Sequence, residues 1–154
     1  MSMAETTEAP VKPLVFGEIG KESMAREPRI IALALPLIRD ACKHSKGRFT
    51  YQSVFDGIND GRFKLWGVFR PPATLESVAI TTIDKAPGGR VFDILLVGPM
   101  VEPMFKHMPR LVTAARADSC SKLRIMGPNL WRRWLADTDG WRPVATVFER
   151  DVVT

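Results

Sequence analysis

Three strand-like segments follow one another between residues 63 and 97, and this row constrains the fold more than any other feature of the sequence. Residues 63–69 are rich in aromatic side chains and end at Pro71-Pro72. Residues 75–83 alternate in polarity, and a Pro/Gly turn joins them to the apolar run 90–97. Strands joined by such short turns pair as an antiparallel meander. The sequence therefore predicts a sheet with residues 90–97 as its central strand.

Helical patterns precede the meander. Apolar residues recur at helical spacing from about Ile30, with Pro36 expected in the first turns and Gly47 at the end of the helix. Thr50 is typical of an N-cap, because its hydroxyl can accept a hydrogen bond from the first turn. A second helix is therefore predicted over Tyr51–Asn59.

Further elements are expected after the break at Gly98-Pro99. A helix is predicted over residues 102–118, with a kink at Pro109. The remaining predicted elements are a strand, a short helix and a final strand, at residues 122–126, 130–137 and 144–152. This order predicts an α+β domain in which a mixed, mostly antiparallel sheet is flanked by helices.

The first 28 residues have a different composition from the rest of the chain. Residues 1–28 are predicted to form an extended arm with a net charge of −2, and residues 29–154 the domain. Pro10 and Pro13 oppose regular structure near the start of this arm. A short apolar cluster follows them and is expected to dock on the body or on a neighbouring subunit. Its members are the interaction candidates Leu14, Val15, Phe16 and Ile19.

The body is basic, with 19 Lys and Arg against 12 Asp and Glu in residues 29–154. Such a balance fits either a solvated surface or a nucleic-acid partner. No apolar run approaches the ~20 residues of a membrane-spanning helix, so no membrane partner is expected. The acidic N-terminus does not resemble a secretory signal, which would be basic and then apolar.

Few residues suggest metal or nucleophilic chemistry. Cys42 and Cys120 lack a CxxC spacing and are expected to be reduced thiols, with a single disulfide as the alternative. His44 and His107 lie far apart in the sequence, and both are expected at the surface. No metal site is predicted.

Trp131, Arg132, Arg133 and Trp134 form the most conspicuous local cluster. The two indoles share a helix face and are expected to cover the sheet, while the arginines are solvated. A protein contact and a nucleic-acid contact are the alternatives, since aromatic rings stack on bases and arginines neutralise phosphates.

The element order and three segments resemble the GNAT family of N-acetyltransferases, in particular small GNAT-like proteins encoded by tailed phages. The segments are GRFKLWGVF at 61–69, ADSCSKLRIMGP at 117–128 and LWRRWLADTDGWRPVATVFERD at 130–151. The resemblance covers about residues 30–152 and implies a GNAT-like fold.

The resemblance also implies where acetyl-CoA would bind. Family members cradle its pyrophosphate with backbone N–H groups at the start of the helix after the central strand. The candidates at that place are Val97, Gly98 and Met100. Prolines at positions 99 and 103 remove N–H groups and Glu102 adds a negative charge, so the motif is degenerate.

Few residues of this sequence match the catalytic residues that the resemblance implies. Many family members protonate the departing thiolate with a tyrosine of the penultimate helix, whereas the only tyrosine in this sequence is Tyr51, on an early helix. The candidates for a general base are Asp93, on the central strand, and Glu76, on the strand before it.

These observations leave enzymatic activity open and favour a protein that is not an enzyme and needs no cofactor, with acetyl-CoA as the cofactor in the alternative case. It is expected to be a GNAT-like structural or assembly component of a phage particle that contacts other subunits of an oligomer through its arm, in the host cytoplasm or the virion. One alternative is an acetyl-CoA-dependent N-acetyltransferase. The other is a nucleic-acid-binding accessory protein.

Overall fold

A five-stranded sheet in the order β1-β2-β3-β4-β5 forms the centre of the protein. The computed structural model describes residues 15–20, 23, 25, 27–71, 74–128, 131–136 and 140–152. Neighbouring strands are antiparallel except β4 and β5, which are parallel. The strands are β1 (Val15–Glu18), β2 (Phe63–Arg70), β3 (Thr74–Ala86), β4 (Gly89–Pro99) and β5 (Lys122–Ile125). The predicted α+β class, with a mixed and mostly antiparallel sheet, is confirmed.

Helices cover both faces of the sheet. They are α1 (Arg29–Lys43), α2 (Tyr51–Asn59), α3 (Val101–Lys106), α4 (Met108–Ala117) and α5 (Arg132–Ala136). One hydrophobic cluster lies between the sheet and α1 and α2, on what we call the α1 face. A second lies on the opposite side, the α3 face, under α3 and α4. None of the helices in the described part of the chain has the length and apolar character needed to span a bilayer.

Helix α2 has the bounds that the sequence predicts. Thr50 adopts an extended conformation, and its side chain accepts a hydrogen bond from the Ser53 backbone N–H at 3.1 Å. The Thr50 backbone N–H donates in return to the Ser53 hydroxyl at 3.0 Å. This reciprocal capping satisfies two N–H groups that the first turn would otherwise leave unpaired, which fixes the start of the helix locally.

Two prolines lie at helix positions other than those that the sequence predicts. Helix α1 begins at Arg29, so Pro36 lies in its middle rather than in its first turns. Burial of Ala34, Ile38 and Ala41 against the sheet holds the helix together across the hydrogen bond that Pro36 removes. The predicted helix over 102–118 is two helices that meet at His107, and Pro109 starts the second helix instead of kinking one.

The apolar cluster of the predicted arm belongs to the sheet. The sequence predicts no strand at 15–18, yet β1 pairs there with the edge of β2. Phe16 and Ile19 are buried, whereas Val15 remains 50% exposed and Leu14 lies outside the described residues. The cluster thus docks on the body of its own chain, and the division of the chain at residue 28 stays a prediction. Phe16 stacks on His107 at 5.7 Å, so His107 is half-buried rather than at the surface.

The predicted final strand is wrong. Residues 144–152 take no part in the sheet, and their side chains are exposed. Alternating β-branched and aromatic residues show that a segment can pair as a strand, but they do not provide an edge for it to reach.

A buried hydrogen bond between β2 and β3 offers a test of the α3-face core. The Trp66 Nε1–H donates to the Thr81 hydroxyl at 2.8 Å, and both residues are buried. Thr81→Val keeps the volume but leaves the indole N–H without its acceptor, so we expect a loss of about 1–3 kcal/mol in unfolding free energy. Urea unfolding measures this. Thr82→Val is the matched control, because the Thr82 hydroxyl bond to the Arg62 carbonyl is exposed and should matter little.

Candidate functional site

Strand β5 ends before β4 does, and we call the space beside the unpaired end of β4 the wedge. Their pairing ends at Ile94 opposite Ile125, where β5 stops. β4 continues for five more residues, to Pro99. Over those residues no strand of the described chain pairs with the outer edge of β4. The backbone of β4 therefore offers hydrogen-bonding groups to whatever enters the wedge.

A β-bulge at Leu95 lies directly after the last residue of β4 that pairs with β5. Opposite β3, Ile94 pairs with Thr81 and Leu96 with Ile80, so Leu95 is an extra residue in β4. Such a residue bends its strand and increases its twist. The bend follows directly after the last pair with β5, which turns the end of β4 away from its neighbour. The sequence gives no signal for this bulge, because residues 94–97 are all apolar and carry no alternation to interrupt.

On the α3 face, aromatic side chains pack beside the wedge. Trp131 and Trp134 stand edge-on to Phe105 of α3, with ring centroids 5.5 and 6.4 Å away. A Cβ atom at Gly127, two residues after β5, would overlap the Trp131 indole, so only glycine allows this approach. The tryptophans thus fix α5 against α3 and β5. These contacts are with a helix and with the residue at 127, so the expectation that the indoles cover the sheet stays a prediction.

The three predicted cofactor-binding residues lie along the separated end of β4. Val97 is buried on the α3 face, and Met100, just after β4, is 53% exposed. A Cβ at Gly98 would lie 3.1 Å from the Ala41 Cβ, so this glycine lets α1 pack closely on the strand. A role for Gly98 in binding a ligand stays a prediction, but the close packing of α1 already favours a residue without a side chain.

Helix α3 begins next to the wedge with few free donors. Met100 is its N-cap and provides no side-chain cap. Of the first-turn backbone groups, Pro103 has no N–H, while Val101 and Glu102 each have one. The Glu102 carboxylate lies 3.4 Å from the Lys106 ammonium, which partly offsets its charge. The helix start is thus a limited site for phosphate oxygens.

Asp93 lies at the closed end of the wedge. Its neighbours Phe92 and Ile94 are on the α3 face, so alternation places Asp93 on the α1 face, one residue before the last β4–β5 pair. Its carboxylate lies 3.9 Å from Arg124 of β5, and that guanidinium also lies 3.9 Å from Asp84. Burial raises the pKa of Asp93, Asp84 raises it further, and Arg124 and Arg48 lower it in part.

Glu76 lies far from Asp93. It is six positions along β3 from Thr82, the residue that pairs with Asp93, which is about 20 Å along a strand. Its carboxylate accepts a hydrogen bond from the Arg70 Nε–H at 2.9 Å. The structure therefore does not bring the two predicted general bases together. Asp93 is the one near the wedge, and sequence analysis missed both Arg124, its ion-pair partner, and Asp84, which shares that guanidinium.

The other candidates occupy separate places. The Arg133 guanidinium lies over the Trp134 ring at 5.6 Å, so that face of the ring is not open to a nucleic-acid base, and Arg132 is exposed. Cys42 and Cys120 are both free thiols, and burial raises the pKa of Cys42.

A concave apolar surface of about 200 Å³ lies between α1 and α2. Its lining includes Leu35, Phe55 and Leu65, with Asn59 as the one polar residue. Leu65 belongs to β2, two strands away from β4. We regard this surface as incomplete helix packing rather than a reaction site, because it holds no group that could bind or transfer a proton.

Comparison with known proteins identifies the fold. No family model and no curated protein matches the chain. Among solved structures, a predicted acetyltransferase with acetyl-CoA from Clostridium acetobutylicum matches with a TM-score of 0.63 and 13% identity, over 90% of this chain and 96% of that one. An aminoglycoside acetyltransferase from an uncultured soil metagenomic sample, in complex with trehalose, matches with a TM-score of 0.66 and 8% identity. The match covers 92% of this chain and 97% of that one. The ribosomal-protein-alanine N-acetyltransferase of Brucella melitensis matches with a TM-score of 0.62 and 15% identity, over 90% of this chain and 99% of that one.

The chain therefore has the GNAT fold, as the resemblance predicts. The same comparison contradicts the expectation of a non-catalytic assembly component of a phage particle, because the solved structures that share the fold across nearly the whole chain are acetyltransferases.

Proposed function

We propose that the protein is an N-acetyltransferase that uses acetyl-CoA bound in the wedge between β4 and β5. The observation that carries the proposal is that β4–β5 pairing ends directly before the Leu95 bulge, which leaves the edge of β4 unpaired close to Asp93. Bulges are frequent next to active sites, where they end pairing and redirect backbone groups. The GNAT fold adds support, since the solved structures that share it are acetyltransferases.

The wedge suits the amide-bearing arm of acetyl-CoA. An extended chain with amides can pair with a free strand edge as a peptide does in β-augmentation. Residues 95–99 of β4 would hold the arm, and the Val101 and Glu102 N–H groups would face its phosphate end. When bound, acetyl-CoA supplies an acetyl thioester whose carbonyl carbon accepts the amine nitrogen. As the C–N bond forms, the C–S bond breaks.

Asp93 is the group placed to receive the proton that the amine loses. It lies two residues before the bulge, about 7 Å along the strand, so its carboxylate would receive the amine proton through bridging water. Arg124, on the neighbouring strand, holds the carboxylate in position. The only tyrosine, Tyr51, packs against Phe55 and under Arg39, so we assign protonation of the departing thiolate to solvent.

Titration calorimetry of the full chain with acetyl-CoA tests the proposal. We expect saturable binding with a micromolar dissociation constant, because the β4 edge and the start of α3 are both available. The absence of heat at millimolar acetyl-CoA would contradict the proposal. Adenosine 3′,5′-bisphosphate serves as a control ligand, since it lacks the amide-bearing arm and should bind much more weakly.

Deletion of Leu95 tests the wedge itself. Without this residue β3 and β4 pair in regular register, and Ile94, Leu96 and Val97 keep the faces that they already occupy. Straightening β4 should close the wedge and weaken acetyl-CoA binding by at least about tenfold. Leu95→Ala is the matched control, because it keeps the bulge and should keep the affinity. Equal loss in both variants would show that the side chain matters and the bulge does not.

Three expectations stay predictions from the sequence. They are the tailed-phage resemblance with its degenerate acetyl-CoA motif, the location in a host cytoplasm or virion, and the binding of other subunits.

A further inference from the structure

Asp93 is open to other molecules from the α1 face. Its side chain is 19% exposed on that face, whereas buried apolar side chains fill the α3 face beside it. Across the sheet, Asp93 is in register with Thr82 of β3 and Arg124 of β5. Thr82 is in turn in register with Phe63 of β2. Paired residues point to the same face, so these four side chains form one row, which an amine approaching Asp93 would meet.

The loop between α1 and α2, residues 44–50, reaches this row at its β2 end. Phe49 stands edge-on to Phe63, with ring centroids 6.5 Å apart, and the Arg48 guanidinium lies over the Phe49 ring at 5.1 Å. Phe63 is two strands from Asp93, which is about 10 Å. Burial raises the pKa of Asp93, and Arg48 is one of the cations that partly offset this rise. Arg48 is thus a cation near Asp93 that does not pair with it.

A buried serine fixes the shape of the loop. The Ser45 side chain is largely buried, and its hydroxyl accepts a hydrogen bond from the Phe49 backbone N–H at 3.2 Å. The same hydroxyl donates to the Cys42 carbonyl at 2.7 Å. Lys46 adopts a positive φ of 55°, which a residue with a side chain keeps only where surrounding contacts hold it. Arg48 lies inside this closed turn, so its backbone has a fixed position.

Cations outnumber carboxylates around Asp93. Arg124 lies 3.9 Å from both Asp93 and Asp84, so two carboxylates share one guanidinium. Lys122 is two residues before Arg124 in β5 and therefore on the same face. Within the described residues, neither Arg48 nor Lys122 takes part in an ion pair. Three cations thus accompany two carboxylates, which favours an acceptor with a negative charge and disfavours a polyamine.

We propose that the acceptor is an amine with a carboxylate several bonds away, such as a peptide in which glutamate follows a small first residue. This inference rests on the proposed acetyltransferase function and names its substrate class. The amine would lie on the side of Asp93, and Arg48 would bind the carboxylate. Because Arg48 does not contact Asp93, the two groups of the acceptor lie farther apart than in a free amino acid. A guanidinium suits this role, since it can donate two parallel hydrogen bonds to one carboxylate.

Three peptides that differ in one side chain test the substrate class. Ala-Glu, Ala-Gln and Ala-Lys, each amidated at the C-terminus, present the same first residue to the full chain. We expect kcat/KM for Ala-Glu to exceed that for Ala-Gln at least about tenfold, because a charge-assisted contact becomes a neutral one. Arg48→Gln should reduce this preference to less than about twofold, and Arg48→Glu should reverse it in favour of Ala-Lys. Release of free thiol from acetyl-CoA measures each rate.

Arg39→Gln is the matched control. Arg39 is likewise an exposed arginine over an aromatic ring, that of Tyr51 at 4.6 Å, but it is not among the groups that act on Asp93. This variant should keep the preference of the native chain. Thermal melting by circular dichroism should give both glutamine variants the midpoint of the native chain, as expected for exposed side chains.

The outcomes separate this inference from the function on which it rests. Equal kcat/KM for Ala-Glu and Ala-Gln would overturn the substrate class and leave the acetyltransferase proposal in place. A preference that Arg48→Gln retains, or that Arg39→Gln loses to the same extent, would overturn it as well. Faster transfer to a polyamine than to Ala-Glu would contradict the charge argument. Absence of thiol release with every acceptor would overturn the proposed function and, with it, this inference.

Discussion

Asp93→Asn should lower kcat/KM for acetyl transfer by about 100- to 10,000-fold at neutral pH, the range that a general base contributes. The amide keeps the size of the side chain but cannot accept the amine proton. The measurement is release of free thiol from acetyl-CoA with the first amine that the native chain acetylates, among an aminoglycoside, a polyamine and an alanine-terminated peptide. Asp84→Asn is the matched control, because Asp84 contacts the same guanidinium at the same 3.9 Å but is an exposed residue of β3.

The same pair of variants separates catalysis from stability. Burial raises the pKa of Asp93 above its unfolded value, so the folded state favours the protonated acid. The stability that this group contributes is present below its unfolded pKa and is lost as pH rises through the folded pKa. Asp93→Asn should therefore leave the protein at least as stable as the native chain at neutral pH. An Asp93→Asn variant with full activity would exclude the general-base role, whereas one that is inactive and unfolded would indicate that Asp93 is mainly structural.

The proposed general-base role of Asp93 also predicts how the activity depends on pH. Because the carboxylate is the active form, kcat/KM should fall as pH decreases, with an apparent pKa above the usual range for aspartate. Arg124→Gln removes a cation that lowers this pKa, so the fall should move to still higher pH. A profile that Arg124→Gln leaves unchanged would show that Asp93 is not the group being titrated.

Phe92→Ala should be the most destabilising of the substitutions considered, with a loss of about 3–5 kcal/mol in unfolding free energy. Phe92 is 1% exposed on β4, with its ring centroid 6.3 Å from that of Trp66, and its removal leaves a cavity between the sheet and the helices of the α3 face. Urea unfolding measures the loss as a lower midpoint with an unchanged slope.

Two further variants calibrate the effect of Phe92→Ala. Phe92→Leu fills most of the space and should cost less than half as much. Val112→Ala, at a position 39% exposed on α4, should change the free energy by no more than about 0.5 kcal/mol. A loss at Phe92 no larger than at Val112 would mean that the two sides of the core adapt to the cavity.

The sequence predicts those parts of the fold that local interactions determine. Helix α2 has its predicted bounds because its capping residues, Thr50 and Ser53, lie within one turn of each other. The three-strand meander follows from alternation and short turns. The GNAT fold itself is predicted from the order of the elements together with the three segments that resemble the family.

Other features depend on contacts between distant residues, which local patterns do not contain. The bulge at Leu95 lies in an apolar run without alternation, and it decides where β4 leaves β5. Arg124 reaches Asp93 only because a helical crossover brings β5 parallel to β4. The wrong prediction for residues 144–152 has the same origin, since propensity does not specify the strand that a segment pairs with.

The short strand β1 links the two sides of the molecule. Phe16 lies in the α3-face cluster and Ile19, three residues later, in the α1-face cluster, although the sheet separates the two. Detachment of this one edge strand would therefore uncover both clusters together. The two layers should therefore melt in a single transition, and a chain that starts after residue 20 should lose the order of both, rather than retain one intact half.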